Sequence, residues 1–253
     1  VKTLLSVLAL AACLCAQAPN YTAAGVVNGA SFTPGLAPNT IGSVFGTNLS
    51  WDTVTLHAGD ISSGTMPTTM DNVEVYLEGW PAYLYYVSPT QINFLVPSVL
   101  LPGNFNFWVT RQGMVGPIVQ VTLHNAAPAL FQTAAGAAIA THLNGSLVSS
   151  KAPAGAGEII MLWANGLGAT DPPLEDGMLP TAAQWLVQMG QFGVWIGGAP
   201  IDPGLILYAG VAPGYAGLYQ VNVRLPTPLQ ANPELQVAVG DAVSPAGLIL
   251  PAQ

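Results

Sequence analysis

The chain has 253 residues, 6% of them charged, with four Lys and Arg, 12 Asp and Glu and a net charge of -8. So few cations cannot neutralise a phosphate backbone, which excludes a nucleic-acid partner. A hydrophobic content of 51% excludes disorder, and 28 Gly and 22 Pro break up long helices, so an all-β fold is expected.

Residues 1–16, VKTLLSVLALAACLCA, read as a secretion leader: one Lys, an apolar run, then small residues. The run is shorter than the ~20 residues that cross a bilayer, so no transmembrane helix is expected once the leader is removed. Cleavage after Ala16 is one reading; Ala16-Gln17-Ala18 also has the A-x-A form, although Pro19 would hinder that cut. Leu10-Ala11-Ala12-Cys13 has the form of a bacterial lipobox, which would make Cys13 a lipid-anchored N-terminus. Either route places the protein outside the cell or on the bacterial cell surface. Both cysteines, Cys13 and Cys15, lie in the leader, so the rest of the chain must be held by core burial without disulfides.

Residues 17–127 are expected to form a first immunoglobulin-like sandwich. Its strands are predicted at Thr40–Phe45, Thr53–His57, Asn72–Leu77, Ala82–Val87, Gln91–Val96, Phe105–Arg111 and Ile118–His124, separated by Gly- and Pro-rich turns. In Gln91–Val96, alternation puts Ile92, Phe94 and Val96 on one face. Residues 128–157 read as a linker with a hairpin at Asn144-Gly145, both residues tolerating the positive φ of a tight turn. Residues 158–253 form the second sandwich, with strands at Glu158–Ala164, Phe192–Ile196, Leu205–Tyr208, Leu218–Arg224, Leu235–Val239 and Gly247–Leu250. Thr181–Met189 has helical character.

The two sandwiches are copies of one unit. Gln91-Ile92-Asn93-Phe94-Leu95-Val96-Pro97 recurs as Gln220-Val221-Asn222-Val223-Arg224-Leu225-Pro226, and Val73–Pro81 recurs as Phe192–Pro200. Thr40–Leu49 likewise matches Glu158–Leu167. A separation of roughly 120–130 residues is one domain length, so this is a tandem pair and not a solenoid.

Val27-Asn28-Gly29-Ala30-Ser31-Phe32, Phe45-Gly46-Thr47-Asn48-Leu49 and Tyr86–Phe94 resemble modules common in secreted acidobacterial proteins. Ala164-Asn165-Gly166-Leu167-Gly168 and Ala209–Val223 resemble the uncharacterised Solibacter-type C-terminal domain. The resemblance covers nearly all of residues 25–250 and implies immunoglobulin-like sandwiches of the IPT/TIG kind. It carries no catalytic residue. Such modules are often appended to large exported proteins; here the pair directly follows a leader, which leads to the expectation of a free-standing surface or filament subunit.

No chemistry-bearing motif competes with that reading. His57, His124 and His142 are scattered without zinc-site spacing, and G-x-S-x-G, P-loop and dinucleotide fingerprints are absent. Spacing favours neither Asp71 with Glu74 nor Glu78 with Asp60 as a glycosidase pair. No enzyme activity, metal or cofactor is expected, the one candidate being a weak calcium loop at Asp171, Glu175 and Asp176. Trp51, Trp80, Tyr83, Tyr85, Tyr86 and Tyr215 are the candidate surface-binding aromatics; Trp163 and Trp195 are expected in the core. The sequence therefore points to a secreted, non-enzymatic surface, matrix or filament-forming protein acting through self-association or contacts with other surface proteins. The alternative is a polysaccharide-binding adhesion module pair, distinguished by whether exposed aromatics line one flat face. Self-association could use residues 17–31 as a strand donated to a neighbour, or that segment could pair within its own domain.

Overall fold

Alternation of apolar and polar residues decides most of the structure. In the computed structural model, which describes residues 17–253, the first unit comprises β1 (Asn20–Asn28), β2 (Ile41–Thr47), β3 (Val54–Thr55), β4 (Val73–Leu77), β5 (Trp80–Pro81), β6 (Tyr83–Val87), β7 (Gln91–Leu95), β8 (Gly103–Arg111), β9 (Met114–Val115) and β10 (Val119–Leu123). They form two antiparallel sheets, ordered β1-β2-β7-β6-β3 and β10-β8-β4-β5, with β9 paired to β8. Val44, Leu84, Ile92 and Phe94 from one sheet meet Val73, Val75, Leu77, Phe107 and Val109 from the other in one buried core. Side chains two apart along each strand thus share the space between the sheets, which defines a sandwich.

The second unit repeats the pairing. It comprises β11 (Ala129–Leu130), β12 (Ala140–His142), β13 (Ile159–Asn165), β14 (Thr170–Asp171), β15 (Gln184–Leu186), β16 (Phe192–Ile196), β17 (Ala199–Pro200), β18 (Ile206–Val211), β19 (Tyr219–Arg224), β20 (Leu235–Val239) and β21 (Ala242–Val243). The order β2-β7-β6 becomes β13-β19-β18, and β5-β4-β8 becomes β17-β16-β20. Ile92, Phe94 and Val96 and their counterparts Val221, Val223 and Leu225 are all buried. The fold class read from the sequence, two tandem antiparallel sandwiches, is the one observed.

Several local expectations change. Residues 20–28 pair with β2 in their own sheet, Val26 opposite Val44 and Asn28 opposite Gly42, so the segment considered as a donated strand is already used. The sequence 128–157, expected as a joining linker, lies against the second unit. β11 and β12 both pair with β13, and Leu130, Ala140, Val148 and Ala154 enter its core. The hairpin turn at Asn144-Gly145 is present, with the His142 N–H donating to Ser146 O at 2.9 Å. Thr181–Met189 forms no α-helix: Gln184–Leu186 is strand β15, paired with β14 and β18, and Met189 alone enters a 3-10 turn, Met189–Gln191. A helical stretch that short has a costly nucleus, and an open sheet edge offers its backbone ready partners. Gly247–Leu250 forms no ladder; Ile249 makes single bridges to Ala137 and Glu234. No helix among the described residues is long and apolar enough to cross a membrane.

Candidate functional site

The densest polar chemistry lies where the two units meet. Asn165, at the end of β13, is fully buried. Its Oδ1 accepts from the Ile41 N–H at 2.9 Å, and its Nδ2 donates to Ile41 O at 2.8 Å and to Asn28 Oδ1 at 2.9 Å. One amide side chain therefore caps the backbone of β2 as a neighbouring strand would. Asn28 in turn donates to Ala127 O at 3.0 Å, and Asn39 donates to the Tyr219 hydroxyl at 3.3 Å. Around these bonds Met66, Leu95 and Ala216 form a small buried apolar cluster, flanked by Ile41, Tyr83 and Tyr85.

The acidic loop serves this joint. Asp176 accepts from the Tyr83 hydroxyl at 2.9 Å, from the Ser98 N–H at 2.6 Å and from Ser98 Oγ at 3.2 Å. Burial first, then the Asp176 carboxylate, pushes the Tyr83 phenol up to about 12. The close seat depends on Gly177, at φ +66, whose Cβ position would lie 2.1 Å from the Tyr83 ring. Asp171 and Glu175 point to solvent, and no three His, Cys, Asp or Glu converge on a metal position among the described residues. The three carboxylates considered as a calcium loop are thus not brought together. The glycosidase candidates are each bonded to their own neighbours. Asp71 accepts from Ser50 Oγ, Glu74 from Thr69 and Thr110, Glu78 from Asn106, and Asp60 from the His57 N–H.

The six aromatics singled out in the sequence divide four ways. Tyr83 and Tyr85 are taken up by the joint, the Tyr85 hydroxyl donating to Ala216 O, and burial holds its pKa far above the usual phenol range. Trp51 lids a buried cation: the Arg111 guanidinium lies 3.7 Å from its ring centroid. Arg111 is fully buried and donates to the carbonyls of Asn48 and Gln17. Burial pushes its pKa down, and the π face with two carbonyls replaces a carboxylate partner. Trp80 and Tyr215 remain exposed, at 51% and 61%, while Tyr86 is half-buried. Cys13 lies outside the described residues.

A different set lies on one outer sheet face. Val73, Val75 and Leu77 point into the core, so Glu74 and Tyr76 point outward. Tyr76 pairs with Trp108 on β8 and with Pro81 on β5. The Tyr76 and Trp108 rings stack at 5.2 Å and 15°. Trp108, Tyr76 and Pro81 thus form a half-exposed row across three strands. Acceptors bracket it: Glu74 beside Thr110 on one side, and Glu78 on the other, bonded to Asn106 N at 2.8 Å and Nδ2 at 3.3 Å. Burial, and then the Glu74 charge, raises the Tyr76 pKa. This row was missed in the sequence because its members are joined by register, not by spacing. The one available signal was the repeat itself, in which Tyr76 and Pro81 match Trp195 and Pro200.

His142 is the histidine with a charged partner. Its Nδ1 lies 2.5 Å from Glu158 Oε1, and its Nε2 lies 3.2 Å from Ala152 O. The bond to Glu158 raises the His142 pKa above 6.5, more than burial lowers it. Burial raises the Glu158 pKa, but the Gly155 N–H and His142 outweigh it and hold the carboxyl below 4.5. The His142 contribution is therefore full below pH 6.5 and lost as pH rises through its folded value. The Glu158 contribution is present above pH 4.5 and lost as pH falls. Both side chains are partly exposed, so the effect is small. We expect wild type to lose melting temperature as pH rises from 6.5 through the folded value, and His142→Gln to flatten that fall. Melting curves for the variant that run parallel to wild type across that range would refute the pairing.

No family model matches this chain, and no curated protein matches it. Among solved structures it is similar to SGBP-B of the Bacteroides ovatus mixed-linkage glucan utilization locus, in complex with a mixed-linkage heptasaccharide. Identity is 9% and the TM-score 0.35, over 94% of this chain and 43% of that one. It is also similar to the surface glycan-binding protein PbSGBP-B of Prevotella bryantii, with 10% identity, a TM-score of 0.29 and coverage of 84% and 36%. The full extracellular region of plexin A4 matches with 12% identity, a TM-score of 0.30 and coverage of 97% and 19%. The chain spans less than half the length of each, and overlaps this partial transfer neither ligand nor partner.

Proposed function

We propose that this chain is a non-enzymatic extracellular binding module that holds a neutral saccharide chain across β8, β4 and β5 of its first unit. The observation that carries this reading is the half-exposed row of Pro81 and the stacked Tyr76 and Trp108 rings, with hydroxyl acceptors on both sides. Pyranose rings offer apolar C–H faces and a rim of hydroxyls, and a row of apolar rings bracketed by carboxylates, an amide and a threonine complements both. Three strands span about 10 Å, room for about two hexose units. A net charge of -8 disfavours polyanionic ligands. The leader supports a place outside the cell or on its surface. The filament reading loses its donated strand, because residues 20–28 are paired in their own sheet.

The test is affinity electrophoresis of residues 17–253 against soluble neutral β-glucans, xylans and mannans. Retardation by at least one of them is expected, and the double variant Tyr76→Ala/Trp108→Ala should weaken binding at least about tenfold at near-unchanged melting temperature. Equal retardation of that variant would sink the reading, as would the absence of retardation by every polymer.

A further inference from the structure

The repeat sets a second aromatic platform on the second unit. β16 and β17 correspond to β4 and β5, and Trp195 stands at the place of Tyr76, paired with Pro200 on β17 and with Gln236 on β20. Val194 and Ile196 are buried, so Trp195 faces outward and is half-exposed; its expected place in the core is corrected by the same alternation that also turns Trp163 outward.

The indole lies down on the sheet. A Cβ built on Gly193 would come 2.7 Å from Cζ3 and 2.8 Å from Cη2 of Trp195. Glycine in a strand interior weakens the strand and marks a close approach; here it accommodates the underside of the ring. The residue opposite Gly193 is Ala238, equally small. Unlike Trp108, this indole has no second ring stacked on it among the described residues, and it is half-exposed. Gln236 donates from Nε2 to Ser244 O at 2.9 Å, which fixes the amide and leaves its Oε1 as an acceptor beside the ring. No charged side chain stands in these paired positions. At its other border the platform ends on Pro200, which also lines a cleft of about 510 Å³ with Ile201, Asp202, Leu205 and Arg224.

We infer that the Trp195 face is a second saccharide site, so that one molecule engages a neutral polysaccharide at two places. The inference rests on the reading proposed for the first unit. The occupant follows from the chemistry: a half-exposed, flat, uncharged ring with a fixed amide acceptor matches the C–H face and hydroxyls of a neutral pyranose. The net charge of -8 disfavours acidic polymers here as well. Two sites on one body raise the affinity for long chains over short ones through effective concentration, without new contacts.

Titration calorimetry with the retained polysaccharide and with its short oligosaccharides tests this. Wild type is expected to bind two oligosaccharides per molecule, and the polymer at least about tenfold more tightly. Trp195→Ala should bind one oligosaccharide and lose the polymer advantage, with its melting temperature retained. Gly193→Val, which keeps the indole but tilts it off the sheet, should behave in the same way. A stoichiometry of two and an intact polymer advantage in Trp195→Ala would overturn the second site and leave the first standing. Binding lost in Trp195→Ala but intact in Tyr76→Ala/Trp108→Ala would remove the first and keep the second. Failure of wild type to bind any neutral saccharide would overturn both.

Discussion

Phe94→Asp should abolish cooperative folding of the first unit. Phe94 is fully buried, its ring 5.4 Å from Phe107 and pressed against Gly42, where a Cβ would come within 2.5 Å. Removing such a ring costs about 3–5 kcal/mol, and a carboxylate left there without a partner costs several more. The sum reaches the whole stability of an ordinary domain, about 5–15 kcal/mol. Leu95, the next residue, faces the joint, so the second unit should lose its support as well. Phe94→Leu, which keeps most of the volume, should fold with a loss of only about 1 kcal/mol. Near-ultraviolet circular dichroism and thermal melting distinguish the two variants. A Phe94→Asp protein that melts cooperatively near the wild-type temperature would contradict the core described here.

The second large effect is expected at Asn165. In Asn165→Ala the Ile41 N–H is left without a partner, while the Ile41 carbonyl and Asn28 Oδ1 each lose one of two bonds and keep the Gly29 and Ala30 N–H groups. The orphaned donor costs about 1–3 kcal/mol and the two other lost hydrogen bonds about 0.5–1.5 kcal/mol each, so a total of about 2–6 kcal/mol is expected. The loss falls on the joint more than on either core, because Phe94 and Val223 stay packed in their own sandwiches. Calorimetry should therefore show one transition in wild type and two in the variant. Asn165→Asp should be worse at neutral pH than Asn165→Ala, since it sets a carboxylate against two acceptor oxygens. A single transition of wild-type enthalpy in both variants would show that the clasp does not couple the units.

These sites differ in how far the sequence revealed them. Phe94 was legible: Gln91–Val96 alternates, its repeat Gln220–Leu225 alternates in phase, and alternation alone assigns the inward set. The repeated Gln-x-Asn is even explained by the fold, since Gln91 Nε2 donates to Asn93 Oδ1 at 2.8 Å and Gln220 Nε2 to Asn222 Oδ1 at 2.7 Å on matching outer faces. Asn165 was visible as part of a motif, but its partner Ile41 is more than a hundred residues away. For residues 17–31 the sequence left pairing within the domain and donation to a neighbour both open, because Thr22-Ala23-Ala24-Gly25 has little strand character; pairing with β2 supplies what propensity lacks. Tyr83 and Tyr85 were read as surface rings, and they do point outward from their sheet; what covers them comes from residues 176–216 of the other unit.

The sequence by itself determined the fold class, the tandem repeat and the inward face of the main strands, because these follow from periodicity along a strand and from turn residues, both local properties. Only the tertiary structure decided which outward faces are covered and which stay open. That choice depends on strand register and on the seating of one sandwich against the other, and neither is a local property. It placed Tyr83, Tyr85 and Asp176 in a joint, set Trp51 over Arg111, and assembled Trp108, Tyr76 and Pro81, contributed by three strands, into one row.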